Sequence, residues 1–205
     1  MLVIIDKEIK DKYRNQYLNL IKKEIENVKV VDFRESATLK NYRSILVLEP
    51  INDKFKMEMK EFFMIYPEKD IEGSYTKKLT ITAESVLSVL PINLKSKTIM
   101  IINQSEILGK PLAKELINRG ANVISLNSKC DIIYELLKTR PDILISATGN
   151  KNFKIKEEHI KFISMKIDLS NDLITKEKIT SIPTIKILNK RYQKVIKNNK
   201  KLCTS

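Results

Sequence analysis

The residues best placed to do chemistry are Asn103-Gln104-Ser105-Glu106-Ile107-Leu108-Gly109-Lys110-Pro111. They follow the almost wholly apolar segment Thr98–Ile102 and open an amphipathic helix predicted over Ile107–Arg119. In open parallel sheets, ligands bind beyond the carboxyl ends of the strands, at the switch point. A helix N-terminus there offers N–H groups and the positive end of a dipole, which suit a phosphate. The generic Gly-x-Gly-x-x-Gly is absent, since Gly109 alone remains, so this turn by itself reads equally as an ordinary strand-turn-helix. Ser128 and Lys129 follow the next predicted strand, Asn122–Leu126. NAD-specific folds often place there an acid for the ribose 2′-OH. A hydroxyl and a cation in its place tolerate a 2′-phosphate, although Lys129 reads equally as a solvated loop lysine. Tyr13 and Tyr17 lie four apart on the first predicted helix, Asp11–Asn27, and so share one face. His159, the single histidine, has no second ligand at metal spacing, so no metal site is expected.

These residues need a scaffold, and the apolar pattern supplies one. Strands are expected at Leu2–Ile5, Val28–Phe33 and Ser44–Leu48, with helices at Asp11–Asn27 and Asp53–Met64. Tyr66–Lys78 is polar, holds Pro67 and Gly73, and reads as a loop between two lobes. Thr82 is expected to cap a helix running to Leu90, which Pro91 stops. Strands then alternate with helices: Thr98–Ile102, Ile107–Arg119, Asn122–Leu126, Asp131–Lys138, Asp142–Ala147, Lys156–Phe162 and Met165–Leu169. Pro111 falls in the first turn of its helix and Gly120 at the left-handed cap. The alternation implies right-handed crossovers and a parallel sheet, an α/β domain of the dinucleotide-binding type between Ile81 and Leu169.

The chain has 205 residues, 42% of them hydrophobic, enough for one large domain or two small ones. It has no apolar run of about 18 residues, so no membrane span is expected. Met1–Asp6 reads as a first strand and not as a signal peptide. Cys130 and Cys203 make no framework, which fits a reducing cytoplasm. The net charge is +13. The lysines are scattered and no nucleic-acid motif accompanies them, so they read as a solvated coat. The run Lys190–Lys201 alternates basic and apolar residues at helical spacing, as an amphipathic helix with a wet basic face would.

Ser105-Glu106-Ile107-Leu108-Gly109-Lys110-Pro111-Leu112-Ala113 resembles the Gly-Arg-Ser-x-Ile-Val-Gly-x-Pro-x-Ala signature of the methylenetetrahydrofolate dehydrogenase/methenyltetrahydrofolate cyclohydrolase family. Further segments are similar to the family's motifs, in the family's order. They are Pro67–Gly73 (Pro-x-Lys-Asp-Val-Asp-Gly), Thr80–Ser85 (a worn Pro-Cys-Thr-Pro-x-Gly) and Leu126–Cys130 (Cys-His-Ser-x-Thr), then Asp142–Gly149 (Ala-Asp-Ile-Leu-Ile-x-Ala-x-Gly) and Lys166–Leu169 (Val-Ile-Asp-Val-Gly). The likeness runs from Ser44 to about Pro183 and is thin before that. It implies two lobes: a folate-type substrate lobe at 1–78 and a Rossmann-type NAD(P)-binding domain with a mainly parallel sheet at 79–183. It also implies that the helix and tail at 184–205 pack back on the first lobe through Ile185, Leu188, Tyr192, Val195 and Ile196. The cofactor would be NADP or NAD, held by Asn103, Gln104, Ser105, Ile107, Gly109, Ser128 and Lys129, with Thr148 and Gly149 beside the nicotinamide. A folate-type substrate and a homodimer are implied as partners.

The same resemblance marks departures. The family's Tyr-x-x-x-Lys is met by Tyr13 and Tyr17, with tyrosine at the lysine position, and core packing is the other reading of both. The glutamine of its Val-Gln-Leu-Pro is Leu48, the second acid of its loop is Glu72, and its arginine in the turn is Gln104. Its Pro-Gly-Gly-Val-Gly-Pro loop has no counterpart, because Thr180–Pro183 runs straight into a helix. A phenol with a pKa near 10 supplies no fixed positive charge. The cyclohydrolase step, which relies on that lysine, is therefore expected to be lost, while hydride transfer needs chiefly positioning. The alternative is a non-catalytic relative that binds a folate or nucleotide.

Overall fold

The computed structural model describes residues 1–35 and 39–202. Cys203 lies outside them. The chain divides into two compact units, Met1–Ile81 with Thr184–Ser205, and Thr82–Pro183.

The first unit is built on a parallel sheet in the order β2-β1-β3, from β1 (Leu2–Ile5), β2 (Lys29–Asp32) and β3 (Ile45–Val47). Successive side chains of a strand point to opposite faces, and here both faces are covered. Val3, Ile5, Leu46 and Leu48 pack with Leu18, Ile21 and Ile25 and with Ile187, Leu188 and Tyr192. Leu2, Ile4, Ile45 and Val47 pack with Phe55, Met59 and Phe63. The first helix, α1 (Lys12–Glu24), starts where the Asp11 side chain accepts the Arg14 N–H. The second, α2 (Asp53–Ile65), starts where Asn52 accepts from Lys54 and Phe55.

The helix α3 (Ile81–Leu87), whose first residue is the last of the 1–81 segment, begins one residue before Thr82, so Thr82 sits inside its first turn and does not cap it; the rest of the second unit follows it in the chain. The sheet β5-β4-β6-β8 is parallel throughout, with β4 (Thr98–Ile102), β5 (Asn122–Leu126), β6 (Ile143–Ser146) and β8 (Met165–Asp168). Between them run α4 (Gly109–Asn118), α5 (Ile133–Leu137) and α6 (Glu157–Ile160). The short strands β7 (Ile155–Lys156) and β9 (Leu173–Ile174) pair with each other. Met100, Ile102 and Leu144 pack with Ile133, Leu137 and Ile160 on one face. Gly120 ends α4 at φ +80°, the left-handed geometry that favours glycine.

The last helix, α7 (Thr184–Leu202), belongs to the first unit. Leu188 and Tyr192 are buried there, with Ile185 and Ile196 half-buried against them, as the family resemblance implied; Val195 is half-buried outside that cluster, and Ile187 is a further buried position. Arg191 on the same helix donates to the carbonyls of Ile71 (3.0 Å), Glu72 (2.9 Å) and Leu79 (2.7 Å). The basic run is therefore an amphipathic helix whose apolar side docks, and one of its cations is a clamp on the 71–79 segment. No helix among the described residues is long and apolar enough to cross a membrane.

Candidate functional site

The parallel sheet of the second unit starts at β4 and sends the chain first to one side (β5) and then to the other (β6). The crevice beyond the carboxyl end of β4 is the switch point, where ligands bind in such folds. Asn103 stands there and organises the turn. Its Oδ1 accepts from Ser105 N (2.9 Å), Ser105 Oγ (2.8 Å) and Gly109 N (2.9 Å). Its Nδ2 donates to the Ala147 carbonyl just past β6, at 2.6 Å. One carboxamide thus ties the end of β4, the start of α4 and the end of β6 together.

Gly109 is required by contact and not by φ. A Cβ on it would lie 1.8 Å from the Asn103 carbonyl oxygen. The helix begins so close to the strand end that only hydrogen fits. Ser105 Oγ accepts the Leu108 N–H at 3.1 Å, and Ser105 O accepts the Lys110 N–H at 3.1 Å. Several N–H groups that could meet a phosphate are therefore already engaged by Asn103 and Ser105. Lys110 Nζ pairs with Glu106 at 2.6 Å, both exposed. Gln104 is exposed and donates from Nε2 to the Ser125 carbonyl of β5 at 3.0 Å. Ile107 is half-buried. Ser128 is half-buried and Lys129 exposed, and the Lys129 N–H is held by Asn127 Oδ1 at 2.8 Å.

The Thr148–Gly149 turn leaves β6. Thr148 N and Oγ1 both donate to the Asp172 carboxylate, at 2.9 and 2.8 Å, and Gly149 N donates to Ser170 Oγ at 3.0 Å. Gly149 has φ +66°, and a Cβ on it would meet nothing within 4 Å. The turn presents bare, open backbone. Asp172 is fully buried and also accepts from Ser146 Oγ at 2.7 Å. Asp168, at the end of β8, accepts from the N–H groups of Ser170, Asp172 and Leu173 and from Lys178 Nζ at 2.7 Å. Burial pushes the Asp168 carboxyl up, but Lys178 and the two N–H groups of Asp172 and Leu173 outweigh it and hold its pKa below the usual value. Asp172, Ser170 and Lys178 carry no motif, and sequence reasoning missed them. Their polar partners lie up to 26 residues away.

Of the three site residues proposed for the first unit, Tyr17 and Glu72 lie close enough for the charge of one to act on the other, and Tyr13 stands apart in solvent. Tyr13 is 74% exposed on α1. Tyr17, one turn on, packs against the cluster that also buries Leu48, and its hydroxyl is buried without a hydrogen-bond partner. Burial first, then the negative charge of Glu72, push the Tyr17 phenol above its usual pKa of 10.0. It stays a neutral phenol at neutral pH. Glu72 is 8% exposed, and its Oε1 accepts the Ile81 N–H at 3.1 Å. One carboxylate oxygen is thus engaged at the start of α3. Asp70, earlier in the same loop, takes Gly73 N, Thr76 N and Thr76 Oγ1, which fixes the loop's shape.

The sheet order, the glycine-tight strand-to-helix turn and the open Thr148–Gly149 backbone define a dinucleotide-binding type of α/β domain. A sequence model of the tetrahydrofolate dehydrogenase/cyclohydrolase NAD(P)-binding domain matches residues 80–188, and the chain belongs to that family. It is 27% identical over 167 residues to the bifunctional protein FolD of Dictyoglomus thermophilum, covering 73% of this chain and 58% of that protein. It is 36% identical over 106 residues to the bifunctional protein FolD of Clostridium botulinum (strain 657 / Type Ba4), covering 50% of this chain and 37% of that protein. The chain thus spans only part of the length of these relatives. Among solved structures, it resembles the bifunctional FolD methylenetetrahydrofolate dehydrogenase/cyclohydrolase of Campylobacter jejuni, with a TM-score of 0.75 and 23% identity over 97% of this chain and 88% of that one. It also resembles the NAD-dependent 5,10-methylenetetrahydrofolate dehydrogenase of Saccharomyces cerevisiae, with a TM-score of 0.72 and 19% identity over 96% and 86% of the two chains. At these identities the structural likeness speaks for the fold.

Proposed function

We propose that the chain is an NAD(P)-dependent oxidoreductase of the methylenetetrahydrofolate dehydrogenase type that no longer carries out the cyclohydrolase step. The observation that carries this reading is the switch-point frame: Asn103 joins three strand and helix ends, and Thr148–Gly149 lies open beside it. The residues fit a dinucleotide. Ser105 and Lys129 bring a hydroxyl and a cation to the exposed rim, and the backbone at Gly149 is open, with nothing within 4 Å of an added Cβ. The bound nicotinamide supplies hydride acceptance; the protein supplies position and exclusion of water. NADP and NAD both remain in the proposal, because Gln104 replaces the arginine that would grip a 2′-phosphate.

Loss of the cyclohydrolase step follows from Tyr17. A buried neutral phenol offers neither a fixed positive charge nor a base near neutral pH. A folate-type substrate, a homodimeric assembly and a cytoplasmic setting complete the proposal, with Glu72 as the acid nearest to the family's pterin-contacting position. The deciding assay measures methylenetetrahydrofolate-dependent reduction of NAD and of NADP beside methenyltetrahydrofolate hydrolysis on one sample. Reduction without hydrolysis is expected, and no reduction of either cofactor sinks the enzyme reading. A second reading, a non-catalytic binding relative, is favoured by two facts. Asn103 and Ser105 already occupy several turn N–H groups, and Glu72 is engaged at Ile81. Binding of nucleotide or folate without turnover is its signature.

A further inference from the structure

Asp172 lies in the loop after β8, yet most of its carboxylate contacts reach elsewhere. Oδ2 takes Ser146 Oγ at 2.7 Å and Thr148 N at 2.9 Å, and Oδ1 takes Thr148 Oγ1 at 2.8 Å. Thr148 Oγ1 in turn accepts the Asn150 N–H at 3.1 Å, so its own proton is committed to Asp172. Three donors converge on the carboxylate, the complement of an ionised group, and all three are neutral. The side chain has no exposed surface. The loop that carries it is itself pinned. Asp168 holds the Asp172 N–H at 2.8 Å and the Leu173 N–H at 2.9 Å, and Lys178 closes the far side of Asp168. The same loop sends Ser170 to Gly149. Both residues of the open turn are therefore set from one rigid neighbour.

A buried carboxylate whose direct donors are all neutral is weakly screened, and the nearest ionised groups, Asp168 and Lys178, pair with each other; its charge acts over several ångströms. The nicotinamide ring carries a positive charge when oxidised and none when reduced. Resting on the proposed NAD(P) site, we propose that Asp172 is a positioning residue with two effects. Its carboxylate fixes the Thr148–Gly149 turn, and its charge beside that turn favours the oxidised dinucleotide over the reduced one. A purely structural side chain would support both cofactor forms alike, so the ratio of their affinities separates the two roles.

The test is calorimetric titration of wild type, Asp172→Asn and Thr148→Val with NAD, NADH, NADP and NADPH, with urea unfolding of each variant as the control for folding. Asp172→Asn keeps the shape and removes the charge. It is expected to weaken the oxidised form about fivefold more than the reduced form, the order of effect of one poorly screened charge. Thr148→Val leaves the carboxylate in place and cuts one tie to the turn, so it is expected to weaken both forms by a similar factor. An unchanged oxidised-to-reduced ratio in folded Asp172→Asn overturns the charge effect. Wild-type affinity for both forms in Thr148→Val overturns the positioning effect, and remains decisive if Asp172→Asn does not fold. Wild type that binds none of the four nucleotides removes the cofactor reading itself and this inference with it.

Discussion

Replacement of Gly109 by alanine is the sharpest probe of the switch-point frame. The added methyl would sit 1.8 Å from the Asn103 carbonyl oxygen, 2.4 Å from its carbon and 2.8 Å from Asn103 Oδ1. Two of these neighbours are backbone, so no rotamer change relieves the clash. The strand end and the helix start must separate by more than 1 Å, roughly the shortfall from an ordinary van der Waals contact of about 3.5 Å. Overpacking costs about 1–3 kcal/mol. Separation also stretches Gly109 N–Asn103 Oδ1 (2.9 Å) and Asn103 Nδ2–Ala147 O (2.6 Å), worth about 1 kcal/mol each. Alanine's better helix propensity returns at most about 1 kcal/mol. The net loss is on the order of 3 kcal/mol, a large share of a domain's total of about 5–15 kcal/mol. The comparison is Gly120→Ala, where φ is +80° but the nearest atom is a flexible Lys95 carbon at 3.6 Å; left-handed strain alone costs about 1–2 kcal/mol there. Urea unfolding midpoints of both variants read the difference. If Gly109→Ala is no less stable than Gly120→Ala, the close-approach argument is wrong.

Tyr17→Phe removes a buried hydroxyl that has no partner, so stability is expected to hold or rise, by up to about 1–2 kcal/mol; a loss of that size in thermal unfolding would show that the hydroxyl is bonded after all. Arg191→Met leaves three backbone carbonyls without their donors, and a loss of about 2–4 kcal/mol in denaturant titration is expected; wild-type stability would mean that the clamp is idle. Acid should destabilise the second unit through Asp168, whose folded pKa lies below its ordinary 3.8. A lowered folded pKa contributes stability that is complete above 3.8 and is lost as pH falls through the folded value. Lys178→Met should move that acid limb to higher pH, and superimposable limbs in wild type and variant would refute the pairing. Gln104→Arg should raise preference for NADP over NAD about tenfold in KM ratio, by supplying a charge-assisted contact; an unchanged ratio would place the 2′-position elsewhere.

The central strands of the second sheet, β4 and β6, were legible from sequence because they are buried and almost wholly apolar, and the half-buried edge strand β5 was legible from its place in the strand-helix alternation. Thr98–Ile102 and Asn122–Leu126 are observed with the bounds their composition predicts. Helix ends were less legible. The helix expected over Asp131–Lys138 is regular only from Ile133 to Leu137, and the one expected to start after Thr82 starts at Ile81. Terminal turns depend on partners outside the helix, and for Ile81 that partner is a carboxylate nine residues upstream.

The Asn103–Pro111 turn could be placed by sequence alone, since an apolar strand followed by an amphipathic helix leaves its connection at a strand's carboxyl end. The ordered motifs around it also pointed to the family. The need for glycine at 109 came only with the fold, because the obstacle is the backbone of Asn103, brought within reach by packing. The same holds for Tyr17. Its spacing put it on one helix face with Tyr13, but spacing on a helix does not say which residue faces a core; Tyr13 stays in water and the Tyr17 hydroxyl is buried. Asp172 carried no signal at all. A lone aspartate in a polar loop is unremarked in sequence, and its function as an acceptor for Ser146 and Thr148 exists only once parallel strands bring the ends of β6 and β8 side by side.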